Sequence, residues 1–549
     1  MPHDLVIRNG TIIDGTGAER HGGDIAIDGD RLTQVGGQAG AGTRELDADG
    51  LVVSPGFIDP HTHYDAQICW DRALTPSCWN GITSCVMGNC GFTLAPCHAD
   101  DVDRDRIMRM LERVEGMSLE AMRAGIDWAW ETFPEYLDHL GAIEPALNVG
   151  SLVGHSAVRY FVLGPDAAQR EASPAEIERM RELVREAMRA GALGFSTSQA
   201  PTHIGGDGRP VPSRFAADDE VFALGEVLAE FDHGALELVT KDLTDVEVSI
   251  ELARRSGRPV TFLGATPRAG LARLDEARAE GLALVPQTSC RPTLMDFRLG
   301  GMGLFDQLPS WQRAAAAAGE ALKAVFRDPA FREAFRKDTG PEFPGFRLFG
   351  GDYDGIKILV TDREDMRHLI GRSVADVATE RGSDPLDTLF DLALEDELGM
   401  QFSYCVSTDL TREPSLIDDN FLIGLSDAGA HLTLLADHAY TTYFLGRWIR
   451  ERKLMPLENA VRKLTQVPAQ LFGIPERGVL REGWHADVVL FDPNRVIDRE
   501  TELVYDLPGG GPRLLTRADG IEQVIVNGEV TVERGEWTGA HAGQVLRGA

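Results

Sequence analysis

From about residue 53 to about 474, short apolar runs alternate with helical segments, and few folds accommodate that alternation. Parallel strands need a long crossover, usually a helix, so strand-helix-strand repeats build a parallel sheet. One crossover helix is legible in detail. Ser173 and Glu176 form a capping box with Pro174 in the first turn, and Ile177, Met180, Leu183, Val184, Ala187 and Met188 recur on one face. Gly191 stops the helix, and Ala192 to Thr197 reads as the next strand. The expected fold class is α/β, a (β/α)8 TIM-like barrel over 53–474. An insertion at about 293–350, richer in Phe, Gly and Pro, is either a lid over the barrel mouth or a surface subdomain.

The ends of the chain read differently. Residues 4–36 alternate apolar and polar residues, broken by Asn9-Gly10 and Asp28-Gly29, which are hairpin signals. The same idiom returns at 486–492 and 524–530. The expectation is one small composite β-sandwich domain built from both termini, 1–52 plus 475–549.

In such barrels chemistry sits at the C-terminal ends of the strands. The first strand ends in Gly56-Phe57-Ile58-Asp59-Pro60-His61-Thr62-His63. Side chains alternate on an extended chain, so His61 and His63 face the same side and make half of a metal site. Asp427, in Ser426-Asp427-Ala428-Gly429, is a late strand-end carboxylate suited to be both metal ligand and general base. Cys90, between Asn89 and Gly91, is a candidate thiolate ligand. Other strand ends fall at His155, after Ser196, at Lys241, at Gly264 and at Gln287 to Arg291. His155 is a candidate to hydrogen-bond a substrate carbonyl, and Arg291 to clamp a carboxylate. A structural histidine and a surface arginine stay open as plainer readings. His203, His431 and His438 read as neighbours of the site.

Composition narrows the partners. Lys and Arg number 54 against 86 Asp and Glu, a net charge of −32, which repels phosphate backbones and anionic lipid. No nucleic acid and no membrane partner is expected, and a homo-oligomer stays open. The N-terminus lacks a basic region followed by an apolar segment, and the seven cysteines are scattered and odd in number. Reduced thiols and a cytoplasmic location are expected.

The first-strand motif, the Gly88-Asn89-Cys90-Gly91 turn, Gly154-His155-Ser156, the Gly191 to Thr197 strand and Ser426-Asp427-Ala428-Gly429 together resemble the amidohydrolase superfamily, within it the N-acyl-D-amino-acid deacylases. The resemblance spans nearly the whole chain. It implies zinc, with the cysteine as a ligand and the aspartate both binding metal and shuttling the proton. One departure matters. The family also holds its tightly bound zinc with histidines on the fifth and sixth strands, and the matching strand ends here read Val239-Thr240-Lys241 and Phe262-Leu263-Gly264. His61, His63, Asp427 and Cys90 then form a single-metal site, so one Zn2+ is favoured over two. Lys241 is a candidate carbamate ligand or a charge for a substrate carboxylate, with a solvent-facing lysine as the plainer reading.

The expected activity is hydrolysis of a small-molecule amide, by deacylation of an N-acyl amino acid through metal-activated water. Two alternatives remain: a hydrolase of another amide, such as an imide, a lactam or a natural product, and a metal-poor barrel retained for binding.

Overall fold

The structure is a computed structural model that describes residues 1–206, 208–241, 246–263, 268–299, 304–343, 347–407 and 409–548. Its centre is a barrel-like parallel sheet in an α/β fold. One stretch pairs Phe57–Asp59 with Ile82–Met87 and Asn148–Ser151. A second runs from Val153–Gly154 through Gly194–Ser198, Ala235–Val239, Val260–Leu263 and Leu284–Thr288 to Leu422–Ile423. Only Leu152 separates Asn148–Ser151 from Val153–Gly154, so one extended segment joins the two stretches. The circuit is completed where Thr62 bridges Ala428 in parallel and Ala428 O accepts the His63 N–H at 2.7 Å. The first and last strands of the series therefore end side by side.

Burial on both faces explains why these strands read as apolar runs. Ile58, Val86, Leu152, Leu193, Ala235 and Leu422, from separate strands or the residues beside them, pack into one cluster. Ala469, Leu471, Phe472, Ile474 and Leu546 from the later chain join the same cluster. The helix Pro174–Arg189 forms as its sequence dictates. Ser173 caps it reciprocally with Glu176, and Met180, Leu183, Val184, Ala187 and Met188 are buried, each large apolar side chain contributing roughly 2 kcal/mol.

Both ends of the chain share one continuous nine-stranded sheet. Val52–Pro55 pairs with Ile12 and its neighbour on one side and with Val488–Phe491 on the other. The segment after residue 293 builds a core of its own. Thr293–Arg298, Gln401–Ser407 and Ile356–Val360 form an antiparallel sheet, covered by aromatic residues including Phe305, Trp311, Phe335 and Phe390. Phe305 meets Trp311 at 4.9 Å and Phe335 edge-on at 5.1 Å between ring centres. This core extends to Leu434, well past the residue-350 limit expected, because its central strand arrives late in the chain. Among the described residues no helix is long and apolar enough to cross a membrane, and none of the seven cysteines forms a disulfide. The strand end expected at Gly264 lies outside the described residues.

Candidate metal centre

His61 and His63 follow the Phe57–Asp59 strand and lie with ring centres 5.3 Å apart, both buried. His61 Nδ1 donates to Gln287 Oε1 at 2.9 Å. The proton is thereby fixed on Nδ1, and the Nε2 lone pair faces Cys90 Sγ at 3.5 Å and Asp427 Oδ1 at 3.3 Å. His63 Nε2 lies 3.8 Å from the same Asp427 oxygen. Ligand atoms of His61, His63 and Cys90 all fall within 4.8 Å of one another.

Two tight turns deliver the remaining donors. Cys90 sits at φ 56°, in the left-handed region that costs a side-chain-bearing residue energy. Gly88, at φ 75°, passes so close to Leu152 that a Cβ would stand 2.3 Å from its carbonyl oxygen. Asn89 Nδ2 donates to Thr62 O and Val86 O, tying the turn to the first strand. Asp427 is likewise left-handed at φ 48°. A Cβ on Gly429 would lie 2.6 Å from His63 O, so only glycine lets that loop approach the histidines. Ser426 Oγ donates to His61 O at 3.0 Å and completes the join.

Burial drives every group in this chamber toward its neutral form. It pushes His61 down to about 3 and His63 well below the imidazole range. It raises the Cys90 thiol and the Glu115 carboxyl well above their ordinary values and Glu237 to about 8. Asp427 rises to about 7, first through burial and then through the charge of Asp437. A bound cation reverses these directions for its ligands. Two imidazoles, a thiol and a carboxylate are donors that zinc accepts. His63 Nδ1 and Glu237 Oε1 are buried without hydrogen-bond partners, which fits a centre designed for a cation. Asp427 and His431, with side chains 22% exposed, form the open edge.

The sequence profile of the amidohydrolase family matches residues 44–339 and 371–532. The chain belongs to the amidohydrolase family. It is 31% identical to the D-aminoacylase of Alcaligenes xylosoxydans xylosoxydans over 554 aligned residues, covering 100% of this chain and 98% of that one. A crystal structure of D-aminoacylase, described as defining a novel subset of amidohydrolases, superposes with a TM-score of 0.69 at 27% identity, covering 100% of both chains. An N-acyl-D-glutamate deacylase from Bordetella bronchiseptica, solved with zinc and a phosphonate mimic of the tetrahedral intermediate, gives a TM-score of 0.69 at 26% identity, again covering both chains fully.

Within this amidohydrolase, His61, His63, Cys90 and Asp427 come together; three other expected site residues do not join them. His155 is buried with both ring nitrogens engaged, Nδ1 with Thr197 Oγ1 at 2.8 Å and Nε2 with Glu220 Oε1 at 2.9 Å. Glu220 also pairs with Arg159, so His155 belongs to a buried polar network and keeps no nitrogen for a substrate. Arg291 is committed to Asp498 at 2.6 Å and lies 3.6 Å from Asp437. Lys241 is exposed and faces Asp218 at 3.4 Å, which removes the geometry for a carbamate ligand. Of the neighbours, His203 Nδ1 bonds Ser198 Oγ at 2.7 Å, and His438 Nε2 accepts the Thr516 N–H at 3.0 Å.

The structure adds Gln287, Glu115 and Glu237. Glu115 Oε2 lies 3.7 Å from His63 Nε2 and 3.8 Å from His431 Nε2. Glu237 Oε2 accepts the Cys90 N–H at 2.6 Å. A charged residue inside the run Leu236-Glu237-Leu238-Val239 was the available signal, since a buried parallel strand has no other use for a lone carboxyl.

Proposed function

We propose that this chain is a zinc-dependent amide hydrolase that removes the acyl group from N-acyl-D-amino acids. The observation that carries the reading is the convergence of ligand atoms of His61, His63 and Cys90 within 4.8 Å of one another, with Asp427 Oδ1 at 3.3 and 3.8 Å from the two imidazoles. The D-aminoacylase likeness over the full chain supports the substrate class. His61, His63 and Asp427 would hold the zinc, with Cys90 beside them. When bound, zinc supplies Lewis acidity, which activates water for attack at neutral pH.

The protein's own groups do the rest. Gln287 holds the His61 ring in the tautomer that presents Nε2. Asp427 stands at the open edge with Oδ1 turned to the imidazoles, leaving Oδ2 to take a proton from the attacking water. The same carboxyl then passes that proton to the departing nitrogen, so the amide and one water become a carboxylic acid and an amine.

The substrate carboxylate needs a cation, and Arg291 and Lys241 are spent elsewhere. We assign this role to Arg214. Its Nη1 donates to His203 O at 3.1 Å, and no carboxylate pairs with it among the described residues. Burial first, and then the nearness of His431, Arg214 and His61, hold the His203 imidazole down at about 3, so Arg214 borders the histidines of the metal cluster.

The parallel sheet is read as the (β/α)8 barrel and the shared terminal sheet as a sandwich folded on itself. Leu5, Ile27 and Leu32 pack with Val488, Ile525 and Val530 in one core. Cysteines that form no disulfide fit a reducing cytoplasm.

The test is amine release from paired N-acetyl-D- and N-acetyl-L-amino acids. Turnover of D substrates with L substrates inert is the expected result; inertness toward both would reject the deacylase reading.

A further inference from the structure

We propose that Glu237 is a metal ligand of this chain, its Oε1 joining Cys90 Sγ to seat a second divalent cation beside the one held by His61, His63 and Asp427. The inference rests on the zinc-hydrolase reading above.

Glu237 lies inside the Ala235–Val239 strand and is 1% exposed. Its two oxygens are used unequally. Oε2 accepts the Cys90 N–H at 2.6 Å, while Oε1 is buried with no partner, and no basic side chain pairs with the carboxyl among the described residues. A buried carboxyl oxygen left without a partner costs free energy unless a donor or a cation meets it. The bond to Cys90 N anchors it to the residue whose thiol stands 3.5 Å from His61 Nε2. One oxygen on a backbone N–H and the other free is how a ligating carboxylate is commonly held.

The resemblance implied a histidine at the end of this same strand. Thr240 and Lys241 stand there, and Lys241 turns away to Asp218. Glu237 is the donor this strand offers in its place.

Glu237→Gln separates a ligand from a mere clamp. The amide keeps an oxygen for Cys90 N and nearly the same volume but loses the anionic oxygen. Zinc content per chain at saturation, and zinc affinity by competition with a chromophoric chelator, are measured for wild type and variant. The expected result is about two zinc ions in wild type, with the second lost or bound at least about tenfold more weakly in the variant, and an unchanged melting temperature for the metal-free proteins. Equal stoichiometry and affinity would overturn the inference alone, leaving the hydrolase reading intact. A wild-type protein that binds no zinc would overturn both. If Glu237→Gln does not fold, a crystal structure of zinc-loaded wild type decides: metal in contact with Glu237 Oε1 supports the inference, and metal held without that oxygen overturns it.

Discussion

His61 Nδ1 is bonded to Gln287 Oε1 across 2.9 Å, from opposite ends of the strand series, and this contact decides which imidazole nitrogen is left for metal. Gln287→Leu keeps similar volume and removes the acceptor, freeing the ring to turn or to change tautomer. Zinc affinity, read by chelator competition, should fall about tenfold to hundredfold. Turnover at saturating zinc should fall much less, since Gln287 makes no contact with the reacting atoms.

Asp427 carries the proton in this account. Asn tolerates the left-handed backbone that Asp427 adopts at φ 48°, so Asp427→Asn tests chemistry without straining the loop. At saturating zinc kcat should fall on the order of a hundredfold or more, with the far-ultraviolet circular dichroism unchanged. Near-normal kcat would remove Asp427 as the base.

Arg214→Ala should raise KM about tenfold to hundredfold, the scale of one charge-assisted hydrogen bond, with kcat little altered. A neutral N-acyl amino amide should show almost no difference between wild type and variant. Steady-state kinetics on the acid and amide pair checks both statements.

Metal-free protein should lose stability as pH rises from about 6.5 to about 8. In that window the folded state still holds protons on Glu237, near 8, and on Asp427, Asp59 and Asp65, near 7. Unfolded carboxyls have already released theirs, so the folded state binds more protons and each rise in pH favours unfolding. The buried His61, His63, His203 and His431 act in the opposite sense, but only below 6.5, where unfolded imidazoles take up protons. Zinc-loaded protein should gain stability over the same window, because its ligands must be deprotonated. Thermal melts with and without chelator give the two slopes.

What the sequence revealed followed from local rules. His61 and His63 were legible because an i, i+2 pair on an extended chain needs no tertiary information, and Cys90 and Asp427 because flanking glycines mark tight turns. Glu237 and Gln287 were harder, since their partners lie 147 and 226 residues away and no short motif records such a pairing. Lys241, Arg291 and His155 show the converse. A strand-end position tells which end of the barrel a residue occupies, not which way its side chain turns. Asp218, Asp498 and Glu220 settle that, and each comes from another element.

The central claim is that bound zinc and the His61, His63 and Asp427 cluster hydrolyse N-acyl-D-amino acids. The most direct measurement is amine release from an N-acetyl-D-amino acid panel by chelator-stripped protein, titrated with zinc and followed against zinc bound per chain. The account predicts no turnover in the stripped protein and recovery in step with zinc binding. Full turnover without metal, or none of the panel cleaved by zinc-loaded protein, would contradict it.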